Sequence, residues 1–294
     1  MKNNEFLSLL NLLDDPSQEV YNAVENRVIE YGKKAIPDLE YFWERSANGI
    51  VQGRIESIIQ KIHYLFLEDE LDKWMRTDPQ DLLYGAFLVS LIQYPGIEFA
   101  DITTRFEEIK RDLWLEMNEQ LTALEKIRII NHVLFQVHKF KPIKSSINVP
   151  QHFFINNLLE TRHGNQYSMA MLYASLAQSV GLPVYGVRIP NNYLLAYYDK
   201  ELAKFAQNEM ADVLFYIDPY NAGAVFGTAE LSKMLKVNHI KEKKEYFQPA
   251  PNNYFIMQIY NALKLNFKNS GHNDKALQVE KILRKIENKA DGIV

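Results

Sequence analysis

The stretch Gln166–Val180, QYSMAMLYASLAQSV, constrains the fold of this chain more than any other. Met169, Leu172, Tyr173, Leu176 and Val180 recur at helical spacing, and Ala170, Ala174 and Ala177 fill a second face with small side chains. A helix that is apolar over most of its circumference is normally covered on several sides. Burying a Met, Leu or Val is worth about 1.5–3 kcal/mol each before entropy, so leaving these residues in water would be costly. Gly164 lets the chain turn tightly before the helix, and Gly181-Leu182-Pro183 ends it. The expectation is a central helix with other layers packed around it.

The flanks of this helix differ in texture. Up to about residue 140 the chain reads as helices, with apolar sets Phe6/Leu9/Leu10/Leu13, Val20/Val24/Val28/Ile29, Leu39/Phe42/Trp43 and Ile55/Ile58/Ile59/Ile62/Phe66. Asp14-Asp15-Pro16-Ser17 supplies a stop and a new N-cap, Pro37 suits a first helical turn, and Asp78-Pro79 opens a further helix through Leu83, Ala86 and Phe87. A helix follows at about 102–117, and Thr122 with Glu125 fits a capping box for the next. The segment LLDDPSQEVYNAVENRVIEYGKKAIPDL resembles a HEAT-type repeat. After the central helix, Val184–Ile189, Tyr193–Tyr198 and Val213–Ile217 read as strands, with a turn at Pro190-Asn191-Asn192 and a polar segment at 199–211. Residues 252–287 return to two helices with Leu263, Phe267, Ala276, Leu277, Val279 and Leu283 as the apolar set, and Leu263, Phe267, Gly271 and Lys275-Ala276-Leu277 resemble one tetratricopeptide-type unit.

Composition excludes several classes of function. None of the 294 residues is cysteine, which removes disulfides, zinc–cysteine sites and any thiolate nucleophile. A net charge of −4 without a basic stripe argues against nucleic acid as a partner. No run of apolar residues is long enough to cross a membrane, and MKNNEFLSLLNLLDDP lacks the pattern of a secretory signal, so a cytoplasmic location is expected. His63, His132, His138, His152, His239 and His272 show no metal-ligand spacing, and neither a metal nor another cofactor is expected.

The middle of the chain resembles the transglutaminase-like superfamily, and within it the bacterial SirB-type branch. Gly164-Asn165-Gln166 stands where a Gly-x-Cys would open the nucleophile helix, Ala170 follows four residues later, and Val180-Gly181-Leu182-Pro183 closes it. Pro190-Asn191-Asn192-Tyr193-Leu194-Leu195 resembles a Pro-Gly-His-Phe-Leu element, and Ile217-Asp218-Pro219-Tyr220-Asn221-Ala222-Gly223 resembles the Asp-Pro strand end with its Asn-Gly-Gly. The resemblance thus places Gln166, Asn192 and Asp218 at the positions of a Cys-His-Asp triad. Many members of that branch have proline at the cysteine position in a Gly-x-Pro-x-Ser-Leu pattern, of which this chain shares Ser168 and not the proline. The fold class it implies is α+β and predominantly helical: a HEAT-like region at 1–118, a transglutaminase/papain-like core at 119–250 with the buried helix on an antiparallel sheet, and a tetratricopeptide-like helix pair at 251–294.

A carboxamide neither attacks a carbonyl nor accepts a proton near neutral pH. The expected function is therefore binding of a protein or peptide by a degenerate site, with His163, Gly164, Ser168, Tyr193, Tyr220 and Asn221 lining a candidate pocket. Plain structural roles compete at each position: Gln166 as a helix cap, Asn192 as a turn residue, and Asp218 as a strand-end turn former whose oxygens face the amides of Gln166 and Asn192. The enzymatic alternative is a hydrolase or acyl-transfer site using Ser168 with His163 as base.

Overall fold

The computed structural model describes residues 4–77, 80–144, 149–190, 192–199 and 212–290. The Asp78-Pro79 helix start, Asn191 of the turn and the polar segment after Asp199 lie outside the described residues. The chain divides into two compact units, 1–73 and 74–294.

The first unit is helical. Helix α1 (Asn4–Asn11) leads through a 3-10 turn into α2 (Gln18–Ile29), and a second 3-10 turn leads into α3 (Ile36–Arg45) and then α4 (Gly49–Met75). Ser17 caps α2 by accepting from the Val20 N–H, as a serine after a proline break should. Pro37 sits in the first turn of α3, where its missing N–H costs nothing. Leu10, Leu13, Val24, Val28, Leu39, Ile55 and Ile58 make the core. Trp43, expected with Leu39 on the apolar face, instead lies at the surface and donates its ring N–H to Glu56 at 3.0 Å.

The second unit holds the expected central helix. Helix α5 (Leu82–Ser90) is capped by Asp81, whose carboxylate accepts from the N–H groups of Leu83 and Tyr84. Gly85 in this helix has a packing reason: a Cβ there would lie 2.7 Å from the Trp74 ring and 2.9 Å from Ile256. Helix α6 (Phe99–Glu116) precedes α7 (Ala123–Asn131), which starts on the predicted Thr122/Glu125 capping box and widens into a π-turn at His132–Val137. Strand β1 (Lys141–Pro142) pairs in parallel with β2 (His163–Gly164), which follows α8 (Ile155–Thr161). Helix α9 (Gln166–Ser179) comes next, and every residue from Ser168 to Ala177 is buried. Gly181, at φ +77°, ends it in a Schellman arrangement, with Leu182 N–H bonded to the Ala177 carbonyl and Gly181 N–H to that of Gln178.

A four-stranded antiparallel sheet follows in sequence order: β3 (Val184–Gly186), β4 (Leu195–Tyr198), β5 (Val213–Asp218) and β6 (Ala224–Phe226). The first two strands are shorter than their apolar runs, and just beyond them Val187 donates its N–H to the Leu194 carbonyl at 3.1 Å while also bridging Pro249. One sheet face, through Leu194, Ala196, Val213 and Tyr216, packs on Leu231 and Leu235 of α10 (Thr228–Val237) and on Phe247. Helices α11 (Asn252–Asn269) and α12 (Asn273–Ala290) form the terminal hairpin. Ala276, Val279, Ile282, Leu283 and Ile286 are its buried stripe, whereas Leu277, expected in that set, is 56% exposed. The chain is thus mostly helical with small sheets.

A pair of carboxamides joins α9, β3 and α11. Gln178 donates to the Val184 carbonyl at 2.8 Å and exchanges two hydrogen bonds with Asn252, whose amide also donates to the Gln80 carbonyl at 2.8 Å. Asn252 is 6% exposed, so truncating it takes the donor from the Gln178 amide oxygen and from the Gln80 carbonyl. The expected cost of Asn252→Ala is about 2–3 kcal/mol, read as a lower denaturant midpoint with an unchanged slope.

Candidate functional site

The first turn of α9 is set by the residues before it. Arg162 ends α8 in the left-handed region at φ +61°, its guanidinium over the Phe140 ring. Gly164 then runs in β2 rather than in a tight turn. Glycine is required by close approach, since a Cβ would stand 2.5 Å from Ser168 Oγ and 2.8 Å from Leu158. The cap of α9 is Asn165, not Gln166: its Oδ1 accepts from the N–H groups of Tyr167 (3.0 Å) and Ser168 (3.1 Å). Gln166 is the first helical residue and is half-buried.

Ser168 and His163 do not form a nucleophile–base pair. The serine is fully buried and donates its hydroxyl proton to the His152 carbonyl at 2.7 Å. The exposed His163 ring sits with Nδ1 2.6 Å from the Thr161 carbonyl. Ser168 therefore anchors α9 to the segment before it, and its oxygen has no imidazole to take its proton.

Aromatic rings fill the space beside Gln166. Tyr167 stacks on Phe153 at 4.6 Å and packs on Tyr193 at 3.9 Å between centroids, and Tyr193 continues to Phe255 at 5.9 Å. Tyr193 donates its hydroxyl to the Gln258 carbonyl at 3.2 Å. Burial pushes the Tyr193 phenol far up, with the neighbouring Tyr167 adding to it, and burial raises Tyr167 as well. Both phenols are therefore neutral donors at physiological pH. Tyr193 was a sequence candidate, whereas Tyr167, Phe153 and Phe255 were not. Their only sequence signal is aromatic identity, which does not say which rings meet.

Gln166, Asn192 and Asp218 form no hydrogen-bonded triplet among the described residues. Asn192, half-buried, makes a weak contact from its amide to Met234 Sδ of α10 at 3.6 Å. Asp218 Oδ1 accepts from the N–H groups of Tyr220 (3.0 Å) and Asn221 (3.2 Å), capping the 3-10 turn that ends β5. These backbone donors satisfy the oxygen expected to face the two amides. Tyr220 reaches back to the Ile143 carbonyl at 2.5 Å, and the Asn221 side chain is exposed. The turn is fastened to the core by a residue that sequence reading missed. Asn131 accepts from the Tyr173 hydroxyl of α9 at 2.7 Å and donates to the Gly223 carbonyl at 2.9 Å. Gly223 is at φ +71°, and a Cβ there would overlap the Asn131 amide, so two constraints demand glycine. Among the described residues, no three His, Cys, Asp or Glu side chains gather as a metal-holding group, and no helix is long and apolar enough to cross a membrane.

Burial raises the Asp218 carboxyl above its ordinary value, and its two backbone N–H bonds oppose that shift. A raised folded-state pKa means that folding binds protons as pH falls, so this group opposes folding most above its folded pKa and least below its unfolded one. Asp218→Asn keeps the cap and removes the buried charge. At pH 7 the variant is expected to be at least as stable as the parent, and that margin should shrink as pH drops through the carboxylate range. Asp218→Ala should lose about 1 kcal/mol through the missing cap. Denaturant unfolding of the three proteins at pH 7 and pH 4.5 measures both effects.

No solved structure matches the chain. A UPF0162 protein of Xylella fastidiosa strain 9a5c is 22% identical over 219 residues, covering 72% of this chain and 74% of that protein. Its counterpart from strain Temecula1 matches to the same extent, at 22% identity over 219 residues. F-box only protein 21 of Mus musculus is 27% identical over 130 residues, which are 44% of this chain and 20% of the mouse protein. The match that spans α9, the four-stranded sheet and the Asp218 turn is to the family model described as the transglutaminase-like superfamily, over residues 100–261. With more than half of its 294 residues matched, the chain belongs to the transglutaminase-like superfamily.

Proposed function

We propose that this protein is a SirB-type member of the superfamily that has lost thiol chemistry and acts by holding a protein or peptide segment. The observation that carries the reading is a sequence with no cysteine and with Gln166 at the first position of α9. In that reading Gln166, Asn192 and Asp218 are the former triad positions. The three-part organisation is a HEAT-like region at 1–118, the core at 119–250 and a tetratricopeptide-like pair at 251–294, in a cytoplasmic protein. Helical repeats offer extended concave surfaces suited to a peptide, and the half-buried Gln166 and Tyr167 supply a polar and an aromatic contact at the start of α9. The hydroxyl of Ser168, already donated to a carbonyl, does not favour the hydrolase alternative.

Purified protein incubated with an amine and a glutamine-containing peptide is expected to give neither amine incorporation nor deamidation. Turnover above a buffer control would overturn the proposal. The position of Gln166 is tested separately by Gln166→Cys, which carries a single thiol because the parent has none. At the first turn of a helix the thiol should titrate below about 8.5, visible as faster iodoacetamide alkylation at pH 7 than that of free cysteine. A thiol that is inert in the native protein would show that Gln166 does not occupy a presented nucleophile position.

A further inference from the structure

The first unit, part of the helical region in the proposed function, carries a cleft whose lining is separate from Gln166, Asn192 and Asp218. It encloses about 430 Å³ between α1, α3 and the start of α4, within the range of small-ligand and side-chain pockets, roughly 300–1,000 Å³. Leu10 and Val51 are its buried floor, and Leu7 and Phe42 contribute its walls. Apolar side chains of the lining also reach solvent: Leu7 is 38% exposed and Tyr41 52%. Single exposed apolar residues are ordinary, whereas two that border one apolar cavity mark a contact surface.

The polar edge has its own chemistry. Arg45 donates Nη1 to the Tyr41 hydroxyl at 2.7 Å and lies 5.0 Å from the centre of that ring. No carboxylate pairs with it among the described residues, so a guanidinium held in place by one contact keeps other N–H groups for a ligand. A guanidinium in this state suits a carboxylate, which it can bind through two parallel hydrogen bonds. Asn11 adds a carboxamide of the kind that pairs with peptide groups, Asn48 already accepts from the Ile50 N–H at 3.0 Å, and Asp14, also on the lining, disfavours a run of acidic residues.

We propose that this cleft anchors an extended peptide segment of a partner protein, taking one large apolar side chain into the pocket and a neighbouring single carboxylate onto Arg45. A fatty carboxylate shares that chemistry. The edge carboxamide of Asn11 and the exposed apolar surface of Leu7 and Tyr41 beside the pocket favour a peptide. The inference rests on the reading that the helical region binds a peptide, deepens it with a ligand class, and is independent of the residues at the start of α9.

The test is an array of octapeptides with Leu, Phe or Ala at the fourth position and Glu, Gln or Lys at the fifth, probed with the full-length chain. Leu-Glu and Phe-Glu peptides are expected to bind at least tenfold better than Ala-Glu or Leu-Lys peptides. Arg45→Gln should abolish the preference for Glu over Gln, and Leu7→Lys should weaken all apolar peptides at least tenfold. Both substitutions are at exposed positions, and thermal melts establish that the variants are folded. Asp218→Asn should leave the pattern unchanged. The proposal is overturned if no peptide exceeds the Ala-Lys background, or if the Glu preference survives Arg45→Gln. Binding of decanoate with no peptide bound would overturn it in favour of a fatty-acid site. Binding that responds to Asp218→Asn and not to Arg45→Gln would overturn it while leaving the function of the second unit standing.

Discussion

Helix α9 has almost no wet face, and much of the second unit follows from that constraint. A polar side chain buried without a partner costs about 1–3 kcal/mol, so each polar group on α9 must find one inside the protein. Ser168 finds the His152 carbonyl, Tyr173 finds Asn131, and Gln178 finds Asn252 and the Val184 carbonyl. Each bond fastens a different segment: the chain before α8, the end of α7 (and through Asn131 the turn after β5), and the start of α11 with β3. Ser175 is the exception, with a buried hydroxyl that takes no partner among the described residues. The apolar residues hold the helix in the core, and the polar ones decide what surrounds it and in which register.

The same constraint explains the form of the candidate site. Tyr173 holds Asn131, Asn131 holds Gly223, and Gly223 closes the turn that Asp218 caps. The strand-end aspartate is thereby engaged with backbone donors, and its remaining electrostatics reflect partial burial. On the other side, Tyr167 and Tyr193, the residues directly after Gln166 and Asn192, meet ring to ring at 3.9 Å. The two chain segments are brought together there by aromatic packing, with the carboxamides at their edges. A scaffold of this kind can keep its geometry without any group that performs chemistry, because it is held by carboxamide, hydroxyl, carbonyl and ring contacts.

Much of this was legible before the structure. The helical period of Met169, Leu172, Tyr173 and Leu176, the Thr122/Glu125 box, the Ser17 cap and the Gly181 stop are local signals with local causes, and all appear in place. Misreadings arose where a residue has two physical uses. Gly164 reads as a turn and is glycine because Ser168 and Leu158 leave no room. Gln166 reads as a cap, while Asn165, with the shorter side chain better able to reach the next two N–H groups, performs that role. Trp43 and Leu277 fit an apolar stripe by spacing and lie at its margin, where exposure depends on what packs alongside.

The sequence by itself determined that thiol chemistry is absent, that one helix must be buried and that an antiparallel sheet follows it, because composition and periodicity act through covalent identity and local geometry. Only the tertiary structure decided that Asn131, far away in the chain, secures the Asp218 turn, and that Asn252 completes the amide pair of Gln178. It alone brought Phe153, Tyr167, Tyr193 and Phe255 into one row. Those contacts join residues whose separation in sequence carries no periodic signal. A hydrogen bond or a ring contact is fixed by ångström-scale distance, and that distance exists only once the intervening chain has folded.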